Sequence, residues 1–279
     1  IIPSFNSKQW LSQCIDSINF GVKPSEILII DDCSTDGSYD FAQELSVKHE
    51  NITILKTPIN SGIAAARKAG FIAASNDLVA IVDADDLFER DALMDAFLKI
   101  TEDVDLCIWN LVRIDNNGQI SETTANPQRL PIGGEQAALL TLGHWRIHPL
   151  GVARKYLYLD AYNDFFVDSV NSDELITRLL LRRARKIVGS EKKYFYRINS
   201  ESSSLKFSIK HLSVWRSNLW LIKFAMDLEN APIDILVKQS IYSSFVFWKK
   251  RDVYGWQNVR KEMRSYAWSL AKLAPAWRF

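Results

Sequence analysis

Cysteine is scarce in this chain: Cys14, Cys33 and Cys107 stand isolated among 279 residues, with no CxxC spacing. A disulfide framework is therefore not what holds the fold, and a reduced compartment with the thiols buried as small hydrophobes is expected. Excess charge is missing too, with 34 basic against 33 acidic residues and a formal net charge of +1. No global field recruits nucleic acid or repels an acidic substrate, so any electrostatic function has to be local. No stretch offers about 18 consecutive apolar residues, which argues against a transmembrane helix and a signal peptide and makes a cytoplasmic protein the expectation. Internal repeats and low-complexity tracts are likewise absent. The chain opens at Ile1 inside a strand-like run, without Met, so one or two natural residues are expected before it, and a trimmed C-terminus is expected as well. What is present, 47% hydrophobic and 24% charged residues, suits a globular protein with enough length for one large domain or two small ones.

The first 110 residues alternate short apolar runs with helical patterns. Ile1-Ile2 leads into a turn at Pro3 to Asn6, and Trp10, Leu11, Cys14, Ile15 and Ile18 then recur at helical spacing. The run Ile27–Ile30 ends in Asp31-Asp32, where Ser34 and Asp36 suit the cap of a helix carrying Phe41 and Leu45. A third strand at 52–55, an Ala-rich helix at 62–74 and a fourth strand at 78–82 follow, the last ending in Asp83-Ala84-Asp85-Asp86. Strands about 25 residues apart with helices between them predict a parallel sheet, because parallel neighbours need a crossover. Ligands of such sheets sit at the carboxyl ends of the strands, and here those ends carry acids. Further along, residues 105–114 read as a strand with a turn at Asn116-Asn117-Gly118, and 121–134 as a polar loop. A helix is read at 171–186 and extended chain at 187–197, with a Trp-rich helical region beyond about Leu205.

Two acidic segments carry chemistry. On an extended segment Asp83 and Asp85 point the same way and Asp86 elsewhere. A pair of this kind holds a divalent metal, Mn or Mg, that neutralises charge developing on a departing diphosphate; it also suits a plain solvated turn. In 31–38, DDCSTDGS, an aspartate can accept a nucleobase N–H, or the polar residues can simply cap the next helix. An acidic pair there also fits a magnesium-binding phospho-receiver domain. That reading wants a phosphorylatable Asp after the third strand and a Lys after the fifth, whereas the third ends Lys56-Thr57-Pro58 and no suitable Lys follows 105–114.

In order and at these intervals, IIPSFN, EILIIDDCSTDGS, NSGIAAARKAG and VAIVDADD resemble the inverting family 2 glycosyltransferases, across residues 1–100 and more thinly across 140–205. The resemblance implies an α/β protein of the Rossmann-like GT-A fold, with a mostly parallel central sheet flanked by helices and a C-terminal helical extension. Residues 1–110 would form the nucleotide-sugar-binding half, 111–205 the acceptor and catalytic-base half, and 206–279 the helical region. Pro3, Phe5 and Asn6 would line the nucleotide pocket and Asp32 would bind the base. Arg67 would approach the diphosphate or the acids around it, Asp83 would touch ribose or metal, and Asp85 would be the main metal ligand. Lys68 stands where the family usually has Asn.

On the acceptor side, His144-Trp145 with Arg154-Lys155 is similar to the family's aromatic-plus-basic segment, Trp145 being either a sugar platform or a core residue. Ser172-Asp173-Glu174-Leu175 followed by Arg178-Leu179-Leu180 looks like the helix that bears the general base, with Ser172 in place of the family's leading Glu. Inverting transfer needs one carboxylate to take the acceptor hydroxyl's proton; Asp173 matches that position and Glu174 is next to it, while acids in a first helical turn also compensate the helix dipole. Tyr194 to Ser200 resembles the aromatic-Arg segment after that helix. Asn199 replaces a His that helps bind metal or phosphate in many members, and Arg197 can pair with a phosphate or with a nearby acid. The implied reaction moves a sugar from a nucleotide diphosphate, most naturally UDP, to a saccharide or lipid-linked acceptor. Ser172 and Asn199 also leave open a protein that binds the donor without transferring it. The C-terminal helices, with Lys249-Lys250-Arg251 and several tryptophans, suit peripheral contact with the inner face of the membrane, or packing onto the catalytic domain or a homodimer partner.

Overall fold

A computed structural model of the chain describes residues 1–18, 26–124, 130–164, 172–198 and 209–273. Asn199, Ser200, the middle of the 121–134 stretch and Trp277 lie outside them. The chain begins with three parallel strands, β1 (Ile2–Ser4), β2 (Ile27–Asp31) and β3 (Ile52–Lys56), connected by helices α1 (Lys8–Ile18) and α2 (Ser38–Lys48). Every residue of β2 is buried, as a strand covered on both faces requires. On α1 the residues spaced for one face, Leu11, Cys14, Ile15 and Ile18, are buried, with Ser17 beside them.

After α3 (Ile63–Ala73) come β4 (Leu78–Ala80), β5 (Leu87–Phe88), α4 (Ala92–Leu98), β6 (Leu106–Ile114) and β7 (Ile120–Thr124). Then follow α5 (Gly134–Thr141), β8 (Gly151–Arg154), α6 (Lys155–Asp164), α7 (Ser172–Arg183) and β9 (Ile187–Arg197). The strands from β4 onward form a second sheet in the order β4-β8-β6-β9-β5, with β7 on β6. Parallel pairing holds throughout the first sheet, while the second is mixed: β6 and β9 are parallel and the other pairs antiparallel. Hydrogen bonds from Ile1 N to Ala80 O (2.8 Å) and from Val82 N to Ile1 O (3.1 Å) join the two sheets. Residues 81–82 therefore leave β8 for Ile1, which is why the fourth strand stops at Ala80 rather than Val82. Gly151 is needed where β8 crosses β6, since a Cβ there would stand 2.1 Å from the Cys107 carbonyl oxygen.

Three local expectations are corrected. The polar stretch from Ser121 does not start as a loop: a turn over Asp115–Gln119 folds β7 back on β6, and strand pairing outweighs its lack of apolar residues. At the start of α2 the cap position is Gly37 at φ 85°; Asp36 accepts from Ser38 N (2.9 Å), while Ser34 Oγ accepts from Asn6 N (3.0 Å). Cys14 and Cys107 are buried, but Cys33 is only half-buried, at φ 61°, with its thiol donating to Thr57 O (3.0 Å).

One apolar core runs from Leu28 and Ile30 through β6, α5, α6 and α7 into α8 (Val214–Met226) and α9 (Ile233–Lys249). A second lies under α1, α2 and α4 around Trp109. A third, built on Trp215, Phe247 and Tyr266, belongs to the C-terminal helices, which end with α10 (Arg251–Tyr254) and α11 (Trp256–Leu273). Each fully buried Leu or Ile in these cores contributes about 1.5–3 kcal/mol. The wall this builds holds one polar edge, where β1, β2, β4 and β9 end together.

Candidate active site

Asp31 and Asp32 close β2 in the buried interior. Asp31 accepts from Ser34 N (3.1 Å). The Asp32 carboxylate accepts from Thr57 Oγ1 (2.7 Å), Ser61 N (2.9 Å) and Gly62 N (2.6 Å). Gly62, at φ 85°, takes a conformation that side chains resist and so turns its N–H onto Asp32 as α3 begins. A carboxylate has about four acceptor positions, so the fold uses three of those of Asp32. Pro3 lies buried in β1 and Phe5 is exposed beside it. Asn6, at φ 51°, accepts from Thr35 N (2.8 Å), which ties the loop after β1 to the loop after β2.

From α3, Arg67 Nη2 reaches both oxygens of Asp83, at 2.8 and 3.0 Å. Burial works against the Arg67 charge, but Asp83, with Tyr162 and Asp173 further off, holds its proton more tightly than usual. After Asp83 the chain makes a tight turn, Asp86 N donating to Asp83 O (2.9 Å). Burial alternates along it: Asp83 and Asp85 are half-open, Ala84 and Asp86 closed. The two acids are thus the half-open members of the segment, and the backbone that carries them is a turn rather than extended chain.

Asp86 is the anchor. Its carboxylate accepts from Tyr194 Oη (2.6 Å) and Arg197 N (2.8 Å), and the same tyrosine oxygen accepts from Asp83 N (3.2 Å). Burial, then Asp83 and Asp85, push the Asp86 carboxyl well above the usual range. Arg197 is buried: its guanidinium donates to Asp85 O (2.9 Å), Asn116 O (3.2 Å) and Gln13 Oε1 (3.1 Å), and lies 4.5 Å over the Trp10 ring. The end of β9 therefore clamps the acidic turn from behind.

Asp173 opens α7 and is exposed, yet near enough to be felt by the charges of Arg67 and Arg178 and by Tyr162. Tyr162, on α6 against Phe71, is pushed up to about 12 by burial, with Asp173 and Asp83 adding to it. Glu174 turns away to Arg178 Nη1 (2.5 Å). Arg178 also donates to Thr141 O (2.7 Å) and lies 4.3 Å over the Trp145 ring, against which His148 stacks at 5.9 Å. Trp145 and Glu174 thus line a pocket of about 270 Å³ between α7, α8 and α9. Arg154 and Lys155 lie at the opposite end of the sheet from Asp83, held by Asp105 and by Ala74 O.

The structure thus gathers Asp32, Arg67, Asp83, Asp85 and Asp173 around one edge, with Pro3, Phe5 and Asn6 on its near side and Arg197 behind it. Trp145 and Glu174 sit one step away, in the pocket beside α7. The sequence reading missed Asp86, Tyr194 and Tyr162 as parts of the site. The signals were there for two of them: the third acid of VDADD and the first aromatic of the YFYR segment. Asp83 and Asp85 are hard oxygen donors of the kind that hold Mg²⁺ or Mn²⁺ through one or two carboxylates plus phosphate oxygens. Among the described residues no three His, Cys, Asp or Glu side chains form a set that could hold an ion unaided. A cation here would share Asp83 with Arg67 and complete its shell from a ligand.

Comparison with known proteins gives this edge a context. The chain is 26% identical over 259 residues to the poly(ribitol-phosphate) β-N-acetylglucosaminyltransferase TarS of Staphylococcus aureus, covering 88% of this chain and 43% of TarS. It is 34% identical over 98 residues to the poly(ribitol-phosphate) β-glucosyltransferase of Bacillus spizizenii, covering 34% of this chain and 16% of that protein. The chain thus spans less than half the length of these relatives. Among solved structures, S. aureus TarS 1–349 in complex with UDP-GlcNAc superposes with a TM-score of 0.64 at 21% identity, over 88% of this chain and 72% of that one. The mannosyltransferase PcManGT of Pyrobaculum calidifontis, in complex with GDP-Man and Mn²⁺, gives a TM-score of 0.56 at 16% identity, over all of this chain and 75% of that one. These likenesses show the GT-A glycosyltransferase fold. The family model for glycosyl transferase family 2 matches residues 1–157, the segment that carries β1 through β8 and the acids that follow β2 and β4, and this chain belongs to that family.

Proposed function

We propose that this protein transfers a sugar, with inversion, from a nucleotide-diphosphate donor to a hydroxyl of a saccharide or lipid-linked acceptor, in the synthesis of a polysaccharide or glycoconjugate. The observation that carries the reading is the convergence of Asp32, Arg67, Asp83 and Asp85 on the sheet edge that Asp173 faces from α7. A uridine donor is supported by the TarS structure solved with UDP-GlcNAc. Residues 1–110 would bind the donor, 111–205 carry the base and acceptor side, and 206–279 form the helical region packed on them. The three free cysteines support a cytoplasmic site of action.

In this reading Pro3, Phe5 and Asn6 line the nucleotide pocket, and Asp32 offers its remaining acceptor position to a base N–H. Asp83 and Asp85 would hold Mg²⁺ or Mn²⁺, and the ion when bound would supply Lewis-acid stabilisation of the leaving diphosphate. Arg67 holds Asp83 in place through both of its carboxylate oxygens. Arg197, occupied with Asp85 O and Asn116 O, serves the diphosphate mainly by fixing the turn. Asp173 takes the proton of the acceptor hydroxyl as that oxygen attacks the anomeric carbon from the face opposite the diphosphate. The bond to the diphosphate breaks, and the electron pair leaves with it. Trp145 borders the path of the acceptor beyond the reacting sugar.

A thermal-shift screen of UDP- and GDP-sugars, with and without Mn²⁺, tests the donor reading. One donor at about a hundred times its Kd should raise Tm by about 5–10 °C, more with metal than without. Failure of every nucleotide sugar to shift Tm would overturn it. Release of UDP or GDP from the bound donor in the presence of acceptor then separates a transferase from a protein that only binds.

A further inference from the structure

The C-terminal helices carry a surface that the transfer reaction does not use. On α9, Ile241, Tyr242, Phe245, Trp248 and Lys249 fall on one face by helical spacing, and all are exposed, Tyr242 to 68% and Trp248 to 42%. Three cations, Lys249, Lys250 and Arg251, follow at its end. The Lys249 ammonium lies 4.5 Å over the Phe245 ring and the Arg251 guanidinium 4.9 Å over the Trp248 ring. Lys272 over Trp268, at 3.3 Å, repeats the pairing on α11.

The charge is as local as the apolar area. Residues 233–273 contain eight Lys and Arg against three Asp and Glu, in a chain whose total is 34 against 33. Positive charge is thus concentrated on the helices that expose the aromatics. Among the described residues no helix is long and apolar enough to cross a membrane.

We propose that the outward face of α9, with the cations at the α9–α10 junction, docks on an anionic lipid bilayer. Exposed Trp, Tyr and Phe suit the headgroup boundary, where an apolar ring meets a polar layer. Lys and Arg stems run along such rings while their charges reach lipid phosphates. A second copy of the chain is the poorer occupant, because a two-fold contact through this face brings the same cations against each other.

Flotation of the purified chain with vesicles of phosphatidylcholine, alone or mixed with phosphatidylglycerol, tests the proposal without donor or acceptor. Its outcome is therefore independent of the transfer reading. The chain should bind the phosphatidylglycerol vesicles, bind the neutral ones far less, and release as salt is raised. Lys249→Glu/Lys250→Glu/Arg251→Glu should weaken binding by more than about a hundredfold. Phe245→Ser/Trp248→Ser, confirmed as folded by its melting curve, should weaken it at low salt as well. No binding to phosphatidylglycerol vesicles by the wild type would overturn the proposal. So would binding that both variants retain, or a dimer in sedimentation that the aromatic variant abolishes.

Discussion

On the strand-end edge the acids are committed to the protein, whereas the first turn of α7 leaves one uncommitted. Asp32 already accepts three hydrogen bonds, Asp83 holds Arg67, and Asp86 is gripped by Tyr194 and Arg197. On α7, Glu174 is bound to Arg178, whereas Asp173 is exposed and, among the described residues, meets the edge through its charge. A donor site gains from fixed partners, because dipoles and charges set in advance need not reorganise when a diphosphate leaves. A base gains from the reverse, since it must meet a hydroxyl and carry away its proton. Neighbouring carboxylates thus become suited to different work through the partners the fold assigns them.

The largest effect expected from breaking this contrast is at Asp173. Asp173→Asn keeps the shape and removes the proton affinity, so transfer should fall by about 10²-fold or more while donor affinity stays the same. Turnover with saturating donor, read beside calorimetric donor binding, checks both halves. If Asp173 only complements the helix dipole, the variant would instead lose about 0.3–1 kcal/mol of stability and keep its rate.

Asp32→Ala should act on the other side of the comparison. The proposed base contact would be equal in ground and transition states, so its loss should raise KM for the donor by about tenfold and change kcat little. The substitution also frees the Ser61 and Gly62 N–H groups, so a lower Tm should accompany the weaker binding.

Asp105, fully buried at the far end of the sheet, is a committed carboxylate with no part in the site. Burial opposes its ionisation, but the Arg185 side chain and backbone N–H outweigh this and hold its carboxyl below the usual range. Folding then favours the charged form. The stability this adds is present above the ordinary carboxylate pKa and lost as pH falls through the lowered one. Asp105→Asn should therefore cost about 1–3 kcal/mol at neutral pH without affecting transfer. In melting curves taken down into acid, its deficit against wild type should shrink.

Within the first turn of α7, the smaller effect on transfer belongs to Glu174→Gln. Its carboxylate is paired with the buried Arg178, so the variant should lose about 1 kcal/mol of stability and stay within a few-fold of the wild-type rate. A loss of transfer at Glu174 larger than at Asp173 would exchange their roles.

Much of the fold was legible because periodicity reports burial directly. The apolar positions of α1 and the buried run of β2 name their own faces, and acids following apolar strands mark the edge where the strands end. The mixed second sheet was less legible, since β7 and β8 owe their existence to pairing with β6 rather than to their own composition. Arg67, expected near the diphosphate or the acids around it, lies against Asp83. The work of Asp86 and Tyr194 stayed hidden because 108 residues separate them and only the β5–β9 pairing brings them into contact. Asp173 and Glu174 differ by a local relation, since Arg178 stands four residues after Glu174 on α7 and pairs with it rather than with Asp173.

The central claim is that Asp83 and Asp85, on a turn fixed from behind by Asp86, form the diphosphate end of the donor site. Its most direct test is calorimetric titration of the donor found by thermal shift, with Mn²⁺, into wild type and Asp85→Ala. The account predicts that Asp85→Ala keeps the wild-type melting temperature and loses the metal-dependent part of donor affinity. Metal-dependent binding of equal strength in the two proteins would contradict it.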